Sequence, residues 1–72
     1  MEYVEKLKGK QIQIVTSDNR VFNGSLFCCD NNLNCTLLNT VEVVSIDNER
    51  NFEKMGTYLI RGDNVVTINE VK

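Results

Sequence analysis

Apolar and polar positions alternate with a period of two along most of this chain, and only its first ten residues depart from that rhythm. From Gln11, the isoleucines Ile12 and Ile14 interleave with Gln11 and Gln13, which is the pattern of a half-buried strand. Ser17-Asp18-Asn19-Arg20 then supplies turn chemistry, with Asn19 able to take the left-handed backbone that a tight hairpin needs. Val21 to Cys29 reads as a second strand with Gly24 in its middle. A mid-strand glycine marks a bend or bulge, and such bends let a short sheet curl over on itself. Asn34 to Ile46 is rich in β-formers throughout, Asp47 to Asn51 reads as a polar loop, and Phe52–Ile60 and Asn64–Val71 complete five strands. The one helical segment is Glu2 to Lys8, where Tyr3, Val4 and Leu7 share a face and Gly9 is placed to stop it. Two turns of helix cannot stand alone in water, so this segment must pack on the sheet. The expected architecture is all-β: a short helix followed by a strongly bent, partly open five-stranded barrel.

Composition narrows the setting. With 72 residues the chain is a single small domain, residues 1–72, and domains of this size often complete their stability with disulfides, metal or oligomerisation. The 42% hydrophobic content is that of a globular chain, and no apolar run is long enough for a membrane-spanning helix. No secretory leader opens the sequence, so an intracellular setting and no membrane partner are expected. The three cysteines Cys28, Cys29 and Cys35 include no C-x-x-C pair, and the chain has no histidine. They read as small apolar fillers in a reduced compartment rather than a disulfide framework or metal ligands, and no cofactor is called for.

Charge restricts the partner. Eight Lys and Arg against ten Asp and Glu leave a net −2, which argues against a broad basic surface gripping nucleic acid. RNA would have to be held at a small local site, or beside neighbours that supply the positive field. Two polar clusters set between β-like runs are candidates for such a site: Asp30-Asn31-Asn32-Leu33-Asn34, and Arg61-Gly62-Asp63 within Ile60–Ile68. Each alone reads as an ordinary turn with solvated side chains. Together they offer more. An Asn34 amide carries both a donor and an acceptor for a base edge, and Asp30 can fix that amide or the loop backbone. A guanidinium at Arg61 can stack on a base, with Gly62 permitting close backbone approach. The last strand carries little edge protection beyond Glu70, so assembly by strand pairing is expected.

At these residues the chain resembles the Sm-like (LSm) family over nearly its whole length. The family's first motif resembles Leu7 to Asn34, through Gly9, Asp18-Asn19-Arg20, Val21, Gly24, Leu26, Asp30 and Asn34, with Glu42 where the family often carries an acid. The second resembles Ile60 to Ile68, centred on Arg61-Gly62. The resemblance implies an SH3-like barrel (the Sm fold) and a ring, usually of seven subunits, joined through edge strands. It implies short uridine-rich RNA around the central hole, with Asp30, Asn32, Asn34, Arg61, Gly62 and Asp63 forming one base pocket. Asn32 stands where many members carry a stacking histidine or aromatic, which leaves stacking to Arg61. The closing segment GTYLIRGDNVVTINEV is most similar to the subunit specific to the nuclear ring on U6 small nuclear RNA, implying a nuclear, hetero-oligomeric, splicing-related role.

Two other readings stay open at this level. LFCCDNNLN also resembles the small Sm-fold auxiliary subunit of an N-terminal acetyltransferase complex, although that subunit tends to lose the Arg-Gly kept here as Arg61-Gly62. A subunit of another Sm-like ring, acting in mRNA decay, is the second. Catalysis is not expected, since no histidine or nucleophile-activating motif is present.

Overall fold

The computed structural model describes residues 2–72. A one-turn helix α1 (Glu2–Glu5) precedes strands β1 (Gln11–Thr16), β2 (Val21–Cys29), β3 (Cys35–Ile46), β4 (Glu49–Ile60) and β5 (Val65–Glu70). All neighbours are antiparallel in the order β4-β3-β2-β1-β5, leaving β4 and β5 as the two edges. The expected bent five-stranded barrel with a leading helix is therefore what the chain forms.

The core follows from the alternation. Ile12, Ile14, Phe22, Leu26, Cys35, Leu37 and Ile60 point inward, and α1 with the turn after it adds Val4 and Leu7 to close one end. Helical pairing stops at Glu5; bonds from Leu7 N–H to the Val4 carbonyl and from Lys8 N–H to the Glu5 carbonyl continue only as tight turns. Gly9, at φ +80°, ends the segment as its position suggested. Tyr3 departs from the expected apolar face and stands 58% exposed, because so short a helix can bury little besides Val4 and Leu7.

Curvature comes from interrupted registers. The β2–β3 ladder shifts between Asn23 and Ser25, at Gly24 as the mid-strand glycine implies, and again between Leu26 and Cys28. A Cβ on Gly24 would lie 3.1 Å from Leu37 Cβ, the Leu38 carbonyl oxygen and Thr40 Oγ1, so any side chain there would make these neighbours give by a few tenths of an ångström. The β3–β4 ladder carries two further shifts around Thr40, with Asn39 at φ 49° and Gly56 at φ +66°.

One expectation fails at the far end. Asp47–Asn51 is not a loop: only Asp47 and Asn48 turn, both left-handed, and Glu49 already belongs to β4. Two consecutive left-handed residues make the two-residue hairpin turn whose twist matches a strand pair. The segment is polar because β2 stops covering β3 at Val43, so the ribbon beyond has water on both faces. Its composition reports exposure rather than absence of a strand.

Overpacking at the bend is the sensitive point. Gly24→Val should destabilise the domain by about 1–3 kcal/mol, read as a lower urea midpoint at fixed protein concentration, whereas Gln13→Thr on the outer face should shift it little.

Candidate nucleic-acid interface

Curling of the sheet brings the two polar clusters together. The β2–β3 loop carries Asp30 to Asn34, and the β4–β5 connection carries Arg61 and the single 3-10 turn Gly62–Asn64. They lie 28 residues apart in sequence, yet one bond joins them: the Gly62 N–H donates to Asn34 Oδ1 at 2.8 Å.

The loop is built on Asp30. Its Oδ1 accepts from the backbone N–H groups of Asn32 (2.8 Å) and Asn34 (3.0 Å), and its Oδ2 accepts from Asn34 Nδ2 (2.9 Å). Leu33, at φ 61°, turns the chain so that its side chain packs on the core while Asn32 stays exposed. The Asn34 amide is thus committed at both ends, to Asp30 through nitrogen and to Gly62 through oxygen. Each end keeps one hydrogen or lone pair for a further partner.

Gly62 has a different task from the one its sequence suggested. A Cβ there would fall 1.7 Å from the Asn32 carbonyl oxygen, so the glycine admits the neighbouring loop itself. Arg61 projects from this junction with its side chain 74% exposed, in a 3.7 Å contact with Asp63, itself 69% exposed. A shallow, open cleft of about 500 Å³ lies beside it, lined by Cys28, Cys29, Asp30, Asn34, Thr36, Leu59 and Arg61. Leu59, 62% exposed, supplies an apolar wall that the polar-cluster argument did not identify, although its place two residues before Arg61 on the incoming strand could have suggested it. A flat cation, an oriented amide and an apolar wall around an open cleft suit a planar, hydrogen-bonding ring.

The cysteine expectation needs correction. Cys29 and Cys35 are direct register partners across β2 and β3, with Cα atoms 4.1 Å apart, and are joined by a disulfide; Cys28 is free. Both bridged residues do pack with the core as fillers would. Spacing alone could not show that the loop between them folds back at once into adjacent strands. The crosslink closes the base of the Asp30–Asn34 loop. Among the described residues no cluster of metal-ligating side chains occurs.

A second polar site also escaped the sequence. Arg20, at the end of the first hairpin, makes a bidentate pair with Glu42 at 2.8 and 2.9 Å and lies 4.9 Å from the Phe22 ring, which stacks on Tyr58. The hydrogen bonds from Arg20 hold Glu42 below the usual carboxylate range, and Glu42 in turn raises the guanidinium. Asp18 is lowered chiefly by its short hydrogen bond from Thr16 Oγ1.

The Asp30 carboxyl is lowered first by the Asn34 side chain and then by the loop N–H groups. A depressed folded-state pKa means that its contribution is present above the unfolded value and disappears as pH falls through the folded one. Acid titration by NMR should therefore show Asp30 titrating below the ordinary aspartate value, with the Asn34 and Gly62 amide signals moving at the same midpoint. Independent midpoints would contradict the shared hydrogen-bond chain.

The family model described as "LSM domain" matches residues 2–70. A curated Schizosaccharomyces pombe protein, "LSM2-LSM8 complex subunit lsm8", is 35% identical over 63 residues, 86% of this chain and 67% of that protein. The Dictyostelium discoideum "Probable U6 snRNA-associated Sm-like protein LSm8" is 34% identical over 71 residues, 99% of this chain and 76% of that one. Among solved structures, a heptameric archaeal Sm protein superposes with a TM-score of 0.88 at 30% identity over all of both chains. The Pyrococcus abyssii Sm protein in complex with a uridine heptamer gives 0.83 at 26% identity, covering 97% of this chain and 94% of that one.

Proposed function

Because the chain belongs to the LSM-domain, or Sm-like, family, we propose that it is a subunit of a hetero-oligomeric, seven-membered ring of Sm-like chains that binds uridine-rich RNA. The specific target proposed is the uridine-rich end of U6 small nuclear RNA, in the nucleus, in support of pre-mRNA splicing. The chain is a binding and scaffold protein, not an enzyme. Relatives named for U6 association and for an LSM2-LSM8 complex support the paralogue, and the heptameric archaeal Sm protein supports the ring.

The observation that carries the reading is the Asp30–Asn34–Gly62 hydrogen-bond chain standing beside an exposed Arg61. In this reading a uracil stacks on the Arg61 guanidinium and against Leu59. Its Watson–Crick edge meets the donor and acceptor that Asn34 has left, the amide being held in one orientation before RNA arrives. Asn32 and Asp63 border the pocket, Asn32 chiefly through its backbone. The edges β4 and β5 supply the ring contacts: each has unpaired backbone groups that the other edge of a neighbouring copy or paralogue can satisfy. A chain of net charge −2 fits a mixed ring in which other subunits provide the positive field.

Two measurements test this. Pull-down from the native cell should recover other Sm-like chains together with U6 RNA; a large acetyltransferase subunit without RNA would overturn the proposal in favour of the scaffold reading. In the reconstituted ring, Arg61→Ala should weaken oligouridine binding by about 1–3 kcal/mol, the usual worth of one base–side-chain stack. That loss should largely persist when salt is raised, because stacking is screened far less than a diffuse counter-charge. The isolated subunit should bind oligouridine poorly with or without Arg61.

A further inference from the structure

Strand β4 is two strands in one. Its second half, Met55–Ile60, carries no charge and is six residues long, the same length as β5. Its first half, Glu49–Lys54 (ERNFEK), places four charged residues on the same open edge. In the ring proposed above, a neighbour's six-residue β5 can cover only half of a twelve-residue strand. The uncharged half is the one that matches it, which leaves Glu49–Lys54 open.

The open half is two-faced. Across the hairpin, Arg50 stands opposite Ser45, Phe52 opposite Val43 and Lys54 opposite Val41, all on the outer face of the sheet. Glu49, Asn51 and Glu53 stand opposite Ile46, Val44 and Glu42 on the other face. No residue of β3 neutralises any of these four charges: Glu42, bound to Arg20, stands opposite another acid, Glu53, and the remaining partners are uncharged. Among the described residues none of the four makes an ion pair. Phe52, 60% exposed between two cations, extends an apolar row running from Val21 through Val43.

This edge rejects its own copy. A two-fold axis normal to the sheet pairs antiparallel strands with their outer faces on the same side, so only residues of like parity meet. Centred on Phe52, such a pairing sets Arg50 against Lys54; centred on Asn51, it sets Glu49 against Glu53. Centred on Arg50 or Glu53, each charge meets itself. Like charges directly opposite are destabilising in every case.

We infer that Glu49–Lys54 is a docking edge for an extended segment of a different protein, added as an antiparallel strand, with acid–apolar–acid side chains on the outer face and bases on the other. A segment of the pattern Glu-Lys-Val-Thr-Glu-Lys fits it. Its two glutamates meet Lys54 and Arg50, its lysines meet Glu53 and Glu49, and its valine lies against Phe52. Main-chain hydrogen bonds supply affinity and alternate side chains supply selection, as in other strand-addition complexes. A purely protective edge would need the charges but would have no use for an exposed Phe52 aligned with the Val43 row.

The inference uses the ring reading only to assign Met55–Ile60 to the neighbour, and the experiment separates the two. A peptide Glu-Lys-Val-Thr-Glu-Lys and its swap Lys-Glu-Val-Thr-Lys-Glu, of identical composition and charge, are titrated by NMR into the assembled ring and into the isolated chain. The first should bind about tenfold more tightly, as expected for four favourable cross-strand pairs turned unfavourable, with shifts confined to Glu49–Lys54 and its β3 partners. The quadruple variant E49K/R50E/E53K/K54E should invert the preference and leave ring assembly intact. Equal binding of both peptides, or binding of neither at millimolar concentration, overturns the inference. Loss of ring assembly in the variant would instead make this half part of the subunit interface. Loss of oligouridine affinity with no peptide discrimination would make it an RNA contact. Failure of the unaltered chain to form any ring would count against the ring reading alone, since peptide discrimination is measured on the isolated chain as well.

Discussion

A single amide, the side chain of Asn34, spans the junction on which the candidate site depends. Its nitrogen bonds Asp30 and its oxygen bonds the Gly62 N–H, so the two ends of the barrel's polar rim are fixed to each other and to one carboxylate. Each loop meets a steric demand at this junction: the Asp30 loop turns through a left-handed Leu33, and the Arg61 turn needs a glycine where the Asn32 carbonyl intrudes. The result is that Arg61 stands exposed while Asp30, Asn34 and Gly62 beside it are tied together by hydrogen bonds. Hydrogen-bonded donors beside an exposed cation suit a planar ligand, because little backbone then has to be ordered on binding.

Much of this was legible in the chain. Period-two alternation marks β1, which has one face in the core and one in water, while β3 is marked by its content of β-formers. Gly24 announces a bend, and the resemblance to the Sm-like family implies that the two polar clusters meet. What escaped did so for physical reasons. Glu49–Asn51 lies in a ribbon with no buried face, so no alternation of polarity marks it as strand. The Cys29–Cys35 pairing depends on register, which spacing does not encode. Tyr3 looked like a core residue because helical periodicity assumes more turns than α1 has. The roles of Asn34 and Gly62 were assigned to a ligand by their chemistry, and the structure shows that part of that chemistry is first consumed in joining the loops.

The disulfide adds a condition to this picture. It closes the base of the loop that carries Asp30, Asn32 and Asn34, where a short covalent ring removes freedom from the opened loop. The hydrogen bonds to Asp30 act on the same few residues, so crosslink and carboxylate support one loop shape between them.

The two bulges around Thr40 have a consequence of another kind. One extra residue enters β3 near Asn39 and one enters β4 near Gly56, so the ladder resumes its original register beyond them. Each strand nevertheless leaves the pair with its phase inverted. Tyr58 and Ile60 look into the barrel, and by strict alternation Lys54 and Phe52 would share their face; instead Glu53 does, opposite Glu42, and Phe52 takes the outer face. Deleting one residue from each strand at this point would preserve every backbone pairing and turn the ribbon inside out. The parity of these two insertions therefore decides which side of the molecule shows the ribbon's cations.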